Sequence, residues 1–482
     1  LLDIARKAAN FLDQAFETPT PENARHAICP SHYMGLLDLY RATREERYLR
    51  LAERLVGMRD IVADGGDDNQ DRVPLAEQSE AVGHAVRANY LYAGVADLFA
   101  ETGEDELWSP LEKIWQNVVE KKMYITGGCG ALYDGASPDG SKNQGAITRT
   151  HQAYGRNYQL PNATAHNETC ANIGNVLWNW RMFLVSGEAK YFDVAELALY
   201  NSVLSGVDLG GKNYFYTNPL RQLDEMPVNL RWSRTRVPFV TSYCCPPNVV
   251  RTSAAVGGLA YGKSSDAIWV NLYGSNRLQT TLSGEKLSLE QESAYPWDGR
   301  IRITITECGS KPFALRLRVP GWSEAASIGV NGKRYDGEIR PGTYLELRRT
   351  WRAGDTVEFD MPMSPQLIEA HPLVEEMRNE VAVKRGPIVY CLESPDLPKG
   401  VRIQEVRIPR DIAFKEQFVA DLLEGGIVLE GKAFAQSEGD WAGKLYRPVK
   451  DRHRSSISVR FIPYYAWSNR GKSEMSVWLP IH

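Results

Sequence analysis

Three cysteines and one glutamate have the types and spacing that could hold a metal ion. Cys244 and Cys245 are adjacent, and Glu168 and Cys170 lie one residue apart earlier in the chain. Thiolate sulfur is a soft ligand, and three sulfurs with one carboxylate oxygen suit a tetrahedral zinc ion better than calcium or magnesium, which prefer oxygen. These four residues therefore predict a zinc site.

Two other interpretations of the same cysteines stay open. Cysteine is among the most frequently buried residue types, so the thiols could be inert core groups. No common zinc-finger spacing combines a Glu-x-Cys unit with a distant Cys-Cys pair. A disulfide between the neighbours Cys244 and Cys245 would close a strained ring, which disfavours it.

A metal-bound cysteine can do more than hold structure. A metal keeps a thiol deprotonated at neutral pH, and a thiolate in an open site is a nucleophile. Hydrolysis of a glycosidic bond with retention needs a nucleophile on one face of the anomeric carbon and an acid/base on the other. Pro246 and Pro247 would stiffen the chain after Cys245 and fix the direction of both sulfurs.

The composition argues against nucleic acid and membranes as partners. The 482 residues include 56 basic and 60 acidic side chains, a formal net charge of -4, so neither a basic surface nor a polybasic stretch is expected. No apolar run approaches the ~20 residues of a membrane span. The 12 Trp and 23 Tyr side chains offer faces that suit sugar rings. Large cores also consume aromatic residues, so we expect from the composition only a small, neutral partner, and leave a homodimer open.

The beginning of the sequence bears on location. An amphipathic helix is already under way at Leu1, so the chain looks processed or truncated. We expect a soluble bacterial protein, with a periplasmic location after signal removal favoured over a cytoplasmic one. Seven cysteines at scattered positions do not suggest a disulfide framework.

The first half of the chain predicts pairs of helices joined by short polar turns, beginning near His32, His84 and Glu168. His84 lies 18 residues before Thr102, and Glu168 lies 18 residues before Ser186. A spacing of 18 residues is about five helical turns. His84 and Glu168 therefore occupy equivalent places in equivalent helices. A ring of helical hairpins around a central pocket would give this register. For either histidine alone, a capping or core role is the simpler interpretation.

The pattern changes near Leu259 to alternating apolar and polar residues. Stretches at 267–273, 300–306, 314–319 and 356–361 predict antiparallel strands. Pro-Gly and Asn-Gly pairs between them predict turns. The fold class predicted is multidomain α + β, with a helical domain followed by β-sandwiches.

The domain bounds follow from these changes in pattern. Residues 1–258 are predicted to form the helical catalytic domain, and residues 259–395 a β-sandwich. Residues 396–482 form a second β-sandwich or complete the first, because a break is expected near Pro395 to Gly400.

Seven short runs are spread in order along almost the whole chain. They are Glu77-Gln-Ser-Glu-Ala-Val-Gly-His84-Ala-Val-Arg87, Met123-Tyr-Ile-Thr-Gly-Gly128, Leu160-Pro-Asn162, Asn167-Glu-Thr-Cys-Ala171, Phe215-Tyr-Thr-Asn-Pro-Leu220, Cys244-Cys-Pro-Pro-Asn248 and Ile462-Pro-Tyr-Tyr-Ala-Trp-Ser-Asn-Arg470. Together they resemble the bacterial zinc-dependent β-L-arabinofuranosidases of the glycoside hydrolases. The resemblance implies an (α/α)6-type barrel flanked by β-sandwiches, with the family's opening strands and first barrel helices missing from this sequence.

The same resemblance implies roles for particular residues. The zinc ligands it implies are Glu168, Cys170, Cys244 and Cys245. The nucleophile it implies is Cys244 or its neighbour Cys245, and Cys244 is the first choice. The residues it implies for the sugar pocket are His32, His84 and Tyr216.

One position departs from the family pattern. The family's acid/base glutamate lies sixteen residues before the zinc-binding glutamate, and here that position is Gln152. A neutral amide cannot donate and recover a proton as a carboxyl group does. The preceding segment, 131–150, is longer and Gly-rich, as if the pocket had been rebuilt. Either another acid acts, with His151, Asp134 and Asp139 as candidates, or the substrate differs enough to need none. A branched acidic sugar of pectin, which has its own carboxylate, is an example of such a substrate.

These observations predict a retaining exo-glycoside hydrolase that uses a zinc-bound cysteine. The expected substrate is a terminal L-arabinofuranose-like sugar, or a branched acidic furanose such as aceric acid, on plant pectic or hydroxyproline-linked glycans. The alternative is a catalytically silent sugar-binding relative with a structural zinc, and Gln152 favours it.

Overall fold

The computed structural model describes residues 1–25, 30–226, 228–437, 439, 441–449 and 451–482. Two compact units are present, and helices dominate the first whereas strands dominate the second. The first contains residues 1–187, 216–219 and 373–376, and the second contains residues 188–215, 220–372 and 377–482. None of the helices in the described ranges combines the length and apolar character that crossing a membrane requires.

The first unit is built from helices and one β-hairpin. Its helices are α1 (Leu2–Ala15), α2 (Pro21–Ala24), α3 (Ser31–Thr43), α4 (Glu46–Gly57), α5 (Ala85–Thr102), α6 (Asp105–Lys121) and α7 (Thr169–Ser186). Its strands are β1 (Leu132–Ser137) and β2 (Thr148–Ala153).

Helices α5 and α7 match in length and at both ends. Each has 18 residues, with His84 and Glu168 as their respective N-caps. Gly103 and Gly187 end them in the left-handed conformation, where glycine carries no Cβ penalty. The predicted equivalence of His84 and Glu168 is therefore confirmed.

Small residues let three helices approach closely. A Cβ on Gly94 of α5 would lie 2.7 Å from the Cβ of Tyr33 in α3. A Cβ on Gly174 of α7 would lie 2.9 Å from the Cβ of Asn89 in α5. Because real Cβ contacts are longer, α3, α5 and α7 depend on glycine to pack at this distance.

The segment 131–150 lies largely in the hairpin. Strand β1 pairs antiparallel with β2, with Leu132 opposite Ala153 and Ser137 opposite Thr148. An isolated bridge joins Ala153 to His84. The hairpin is therefore attached to the start of α5.

The second unit contains two α-helices in its described part and many strands. The helices are α8 (Ala189–Ala198) and α9 (Cys245–Ala255). The strands are β3 (Arg221–Gln222), β4 (Tyr261–Lys263), β5 (Ala267–Val270), β6 (Asn276–Leu282), β7 (Glu285–Ser293), β8 (Arg300–Glu307), β9 (Phe313–Val319), β10 (Ser327–Val330), β11 (Lys333–Arg334), β12 (Thr343–Arg349), β13 (Thr356–Asp360), β14 (Pro365–Glu369), β15 (Glu380–Arg385), β16 (Ile388–Glu393), β17 (Val406–Arg407), β18 (Lys415–Val419), β19 (Gly426–Gln436), β20 (Arg454–Pro463), β21 (Met475–Ser476) and β22 (Leu479–Pro480).

Two sheets of the second unit form a β-sandwich. One has the strand order β11-β10-β13-β8-β7-β6, and the other has the order β12-β9-β5-β4. Alternate residues of both sheets share one core, which includes Ile268 and Leu315 from the smaller sheet and Ile303 and Val357 from the larger. The strands predicted from the period-two stretches are confirmed.

A third sheet follows, with the order β14-β15-β16-β20-β19-β17. Its strands β16 and β20 pair with Tyr390 opposite Pro463, so residues on both sides of the expected break at 395 share this sheet. The predicted order of a helical part followed by β-rich parts is confirmed. The domain bounds 1–258, 259–395 and 396–482 remain a prediction.

Candidate metal and sugar-binding site

The start of α7 places two of the predicted zinc ligands. Glu168 is the N-cap and Cys170 lies in the first turn, and each is only 2% exposed. Asn167 just before them has a φ of 43°, a left-handed conformation that asparagine tolerates better than most residues. Its backbone N–H donates to the Gly130 carbonyl at 2.8 Å. This turn therefore fixes how Glu168 enters the helix.

Residues 216–219 run beside this turn. The Asn218 side-chain amide donates to the Asn167 carbonyl at 3.0 Å, and the Asn167 side-chain amide donates to the Asn218 carbonyl at 2.8 Å. The Thr169 N–H donates to the Tyr216 carbonyl at 3.0 Å. These reciprocal bonds hold Tyr216 next to the start of α7.

Gln152 is joined to Tyr216 by a side-chain hydrogen bond. The Gln152 Nε2 donates to the Tyr216 hydroxyl at 3.0 Å. Gln152 has a φ of 53°, although it lies within β2. Such strain in a non-glycine residue persists only where the surroundings enforce it, and it is concentrated at functional sites. The structure thus brings together two of the predicted site residues.

An aromatic cluster surrounds Tyr216, which is 5% exposed. Its ring lies 5.9 Å from the His166 ring at an interplanar angle of 72°. The Tyr133 ring meets His166 edge-on at 4.7 Å. Sequence reasoning did not single out His166 or Tyr133, although His166 directly precedes the run from Asn167 to Ala171.

The other two predicted pocket residues also lie at helix starts. His84 caps α5 and bridges to Ala153, the neighbour of Gln152, so it lies beside β2. His32 lies in the first turn of α3, and its ring meets the Tyr33 ring edge-on at 4.6 Å. The roles of both histidines toward a sugar remain predictions.

A buried polar face of α7 supports the same region. The Asn172 side-chain oxygen accepts from the Cys129 N–H at 2.9 Å, and the Asn175 amide donates to the Gly127 carbonyl at 3.1 Å. These bonds fix the loop at 127–130 against the helix. Sequence reasoning missed this face, but the three- and four-residue spacing of Asn172, Asn175 and Asn179 is a signal that could have found it.

The adjacent cysteines begin α9. Cys244 is the exposed N-cap, and Cys245 is the fully buried first residue of the helix. Pro246 and Pro247 fit the first turn, where the missing N–H has no helical partner to lose. The positive end of the helix dipole favours negative charge at these sulfurs. The two Sγ atoms lie 3.8 Å apart, far beyond the ~2.05 Å of a disulfide, so the vicinal disulfide is excluded.

The ligand atoms of the four predicted zinc-binding residues lie within 4.8 Å of one another. A tetrahedral zinc with Zn–S bonds of about 2.3 Å needs ligand atoms separated by roughly 3.5 to 4 Å. The donor set of three sulfurs and one carboxylate also suits zinc. A group of side chains that could hold a metal is therefore present, and inert scattered thiols do not describe Glu168, Cys170, Cys244 and Cys245.

The three alternative acid candidates lie on or near the hairpin. The Asp134 carboxylate pairs with the Arg149 guanidinium at 2.6 Å and with His151 Nδ1 at 2.7 Å. The hydrogen bond from Arg149 is the main reason that the pKa of Asp134 is lowered. Asp139 pairs with Arg156 at 2.8 Å. Asp134 is therefore held as a carboxylate, which does not suit a proton donor.

Three family models cover nearly the whole chain. They describe the β-L-arabinofuranosidase GH127 catalytic domain at residues 1–258, the GH127 middle domain at residues 267–363 and the glycoside hydrolase family 127 C-terminal domain at residues 365–480. The chain belongs to glycoside hydrolase family 127, the β-L-arabinofuranosidase family. The predicted family and the predicted enzyme class, a glycoside hydrolase, are confirmed.

Individual family 127 relatives agree with this result. The chain is 30% identical to the non-reducing end β-L-arabinofuranosidase of Bifidobacterium longum subsp. longum, over 99% of this chain and 74% of the relative. A solved structure described as a glycoside hydrolase is 51% identical with a TM-score of 0.96, covering 99% of this chain and 79% of that chain. The structure of a GH127 β-L-arabinofuranosidase from Geobacillus stearothermophilus T6 is 37% identical with a TM-score of 0.84. The match covers 93% of this chain and 72% of that chain.

Proposed function

We propose that this chain is a retaining, exo-acting glycoside hydrolase with Cys244 as its nucleophile. The observation that carries the proposal is the group formed by Glu168, Cys170, Cys244 and Cys245. The named activity of the Bifidobacterium relative, at non-reducing ends, supports exo-cleavage. The substrate is a terminal L-arabinofuranose-like sugar or a branched acidic furanose, such as aceric acid, on pectic or hydroxyproline-linked plant glycans.

Exposure distinguishes the two adjacent cysteines. Glu168, Cys170 and Cys245 are buried, whereas Cys244 is exposed. Only an accessible sulfur can reach an anomeric carbon, so Cys244 fits the nucleophile and Cys245 fits a ligand. A zinc ion bound by this group would keep the thiols in their deprotonated form.

The reaction then follows the two steps of a retaining hydrolase. The Cys244 thiolate attacks the anomeric carbon and the glycosidic C–O bond breaks, which leaves the sugar attached to sulfur. The acid/base group gives its proton to the leaving oxygen. Water next attacks the same carbon and loses a proton to that acid/base group, and the C–S bond breaks, so the released sugar has the original configuration and the thiolate is regenerated.

Gln152 supports an acidic sugar as substrate. One hydrogen of its Nε2 is used on Tyr216, and an amide nitrogen has two. The second can be donated to a substrate oxygen, and a carboxylate is a stronger acceptor than a hydroxyl group. A family-type glutamate at this position would instead repel a substrate carboxylate. His151 and Asp139 remain candidates for the proton donor, whereas Asp134 is held as a carboxylate.

A direct assay tests this proposal. Wild-type protein and a Cys244→Ala variant are incubated with β-L-arabinofuranosides and with branched pectic oligosaccharides, and released monosaccharides are measured. We expect release by the wild type alone. Release by both proteins would contradict the role of Cys244.

The second candidate function is a silent sugar-binding protein with a structural zinc. The neutral amide of Gln152 at the family's acid/base position favours it. Oligosaccharide binding without any released monosaccharide, in zinc-loaded wild-type protein, would establish this second function.

A further inference from the structure

A polar cavity of about 400 Å³ lies along the hairpin within the first unit. The hairpin contributes Asp134, Ser137, Asp139 and Thr150 to its wall. The volume falls in the range of about 300 to 1,000 Å³ that small-molecule sites occupy. None of the predicted zinc ligands lines it, so this cavity is separate from the metal site.

Thr150 gives the cavity an unsatisfied group. Its side chain is only 2% exposed, and its hydroxyl has no hydrogen-bond partner in the described part of the chain. Buried polar groups normally have partners, because burial without one costs free energy. A ligand hydroxyl in the cavity would supply the missing partner.

The wall carries four acids and three cations, and each has an ion-pair partner; the partner of Asp134 is Arg149, which does not line the cavity. Three cations each pair with an acid that also lines the cavity: Arg72 with Asp67, Lys122 with Glu80 and Arg156 with Asp139. A wall of paired charges has no net attraction for an anion or a cation. It instead offers alternating donors and acceptors, which match the hydroxyl groups of a sugar because each hydroxyl both donates and accepts.

Strand β2 connects the cavity to the predicted site. Thr150 and Ala153 line the cavity, whereas Gln152 between them bonds to Tyr216, which does not line it. The φ of 53° at Gln152 interrupts the regular alternation of the strand. One strand therefore carries a cavity wall and a site residue two positions apart.

We propose that the cavity binds a neutral sugar unit that neighbours the cleaved unit in the same glycan. This inference rests on the proposed function, since it assigns a second subsite to that substrate. It also gives the lengthened hairpin a role, because the hairpin forms one wall. The enzyme would thereby select a branched glycan over a simple glycoside of the same terminal sugar.

Matched variants of two threonines on β2 test the proposal. Thr150→Val removes the buried hydroxyl and keeps the side-chain shape. Thr148→Val is the control, because Thr148 is exposed and does not line the cavity. The assay compares kcat/KM for a branched oligosaccharide that the wild type cleaves with kcat/KM for an aryl glycoside of the same terminal sugar.

We expect Thr150→Val to lower kcat/KM about fivefold to tenfold on the oligosaccharide, through KM, and to leave the aryl glycoside unchanged. Thr150→Ser, which retains the hydroxyl, should restore the wild-type value. An equal loss on both substrates, or no loss on either, would overturn the proposal. The same holds if Thr148→Val gives the same selective loss.

A binding measurement separates this proposal from the proposed function. If the wild type releases no sugar, titration of the branched oligosaccharide followed by NMR still reports on the cavity. Weaker binding by Thr150→Val than by Thr148→Val or Thr150→Ser would support a sugar subsite in a protein that is not a hydrolase. Equal binding by all three variants would overturn the subsite.

Discussion

The start of α7 and strand β16 each bury a cysteine, but in different surroundings. Cys170 has Asn167, Glu168 and Thr169 close by in the chain, and all of these are at most 2% exposed. Cys391 lies between Tyr390 and Leu392, with Ile462 opposite on β20. Burial raises the pKa of the Cys391 thiol well above its ordinary value. The first region surrounds its cysteine with buried polar groups, whereas the chain neighbours of Cys391 are largely apolar, and the buried Glu393 at the end of β16 is neutralised by an ion pair with Arg470.

This difference separates residues that stabilise the fold from residues that act. Burying a polar group costs free energy, so a folded chain keeps a cluster of them only where hydrogen bonds, a metal or a substrate compensate. The β-rich cores bury apolar surface and gain stability directly. We therefore expect residues at the starts of α5 and α7 to act on the substrate. We expect residues of strands such as β16 to contribute only to the stability of the fold.

The largest effect is expected for Cys244→Ala. Removal of a nucleophile typically costs about 10³-fold or more in kcat. The matched control is Cys308→Ala, since Cys308 is a partly buried thiol in the β-sandwich and should keep wild-type activity. Residual activity of Cys244→Ala within tenfold of the wild type would show that chemistry is not concentrated at the helix starts.

Serine substitutions at the two buried cysteines compare the regions directly. We expect about one zinc ion per chain in the wild type. Cys170→Ser should lower this zinc content and should also lower the stability considerably, because metal affinity is part of the folding free energy. Cys391→Ser should keep its zinc and lose about 1–3 kcal/mol of stability by burying a hydroxyl group. Elemental analysis and thermal unfolding measure both properties. Equal zinc content in the two variants would show that Cys170 is not a zinc ligand and would remove the distinction between the two regions.

His84→Ala should reduce kcat/KM by roughly tenfold or more while leaving the fold intact. A polar group that faces a pocket makes fewer core contacts than an apolar core residue. Circular dichroism and thermal unfolding provide the control for folding. A variant that unfolds, with wild-type activity in its folded fraction, would assign His84 to helix capping and not to the sugar pocket.

Gln152→Glu is expected to create no activity on β-L-arabinofuranosides. The carboxylate would replace an amide that now donates to Tyr216, and the lengthened hairpin would remain. The native reaction should decline, because a carboxylate at this position would repel the carboxylate of an acidic substrate. Strong arabinofuranosidase activity from this single change would mean that the site is a standard one that has lost its acid.

Local patterns in the sequence were sufficient to predict several of the helices and strands. The equal spacing of His84 and Glu168 from their helix ends predicted α5 and α7, because caps and helical periodicity are local properties. Period-two alternation predicted β8 and β13 for the same reason. The thiol and carboxylate types at Glu168 and Cys170 predicted a metal site through ligand chemistry.

Other features depend on contacts between distant residues, so the sequence did not reveal them. The pairing of β16 with β20 joins Tyr390 to Pro463 across an expected break. Asp134 looked available as an acid, but Arg149 opposite it on the hairpin holds it as a carboxylate. The cavity beside Thr150 likewise exists only once β1 and β2 pair and approach the rest of the first unit.

The smallest effect is expected from Asp134→Asn, compared with Asp298→Asn in the β-sandwich. Hydrogen bonds from Arg149 and Arg300, respectively, are the first cause that lowers the pKa of each aspartate in the folded protein. A depressed folded pKa gives stability that is present above the unfolded pKa of about 3.9 and is lost as pH falls through the folded pKa. Because both pairs are exposed, each variant should lose only a small amount of stability at pH 7. Thermal unfolding should show no difference from the wild type below about pH 2 to 3. Both aspartates are already ionised near neutral pH and cannot donate a proton there, so neither variant should move the alkaline limb of the activity profile, which reports the proton donor. A shift of that limb in Asp134→Asn alone would make Asp134 the acid and would place catalytic chemistry on the hairpin.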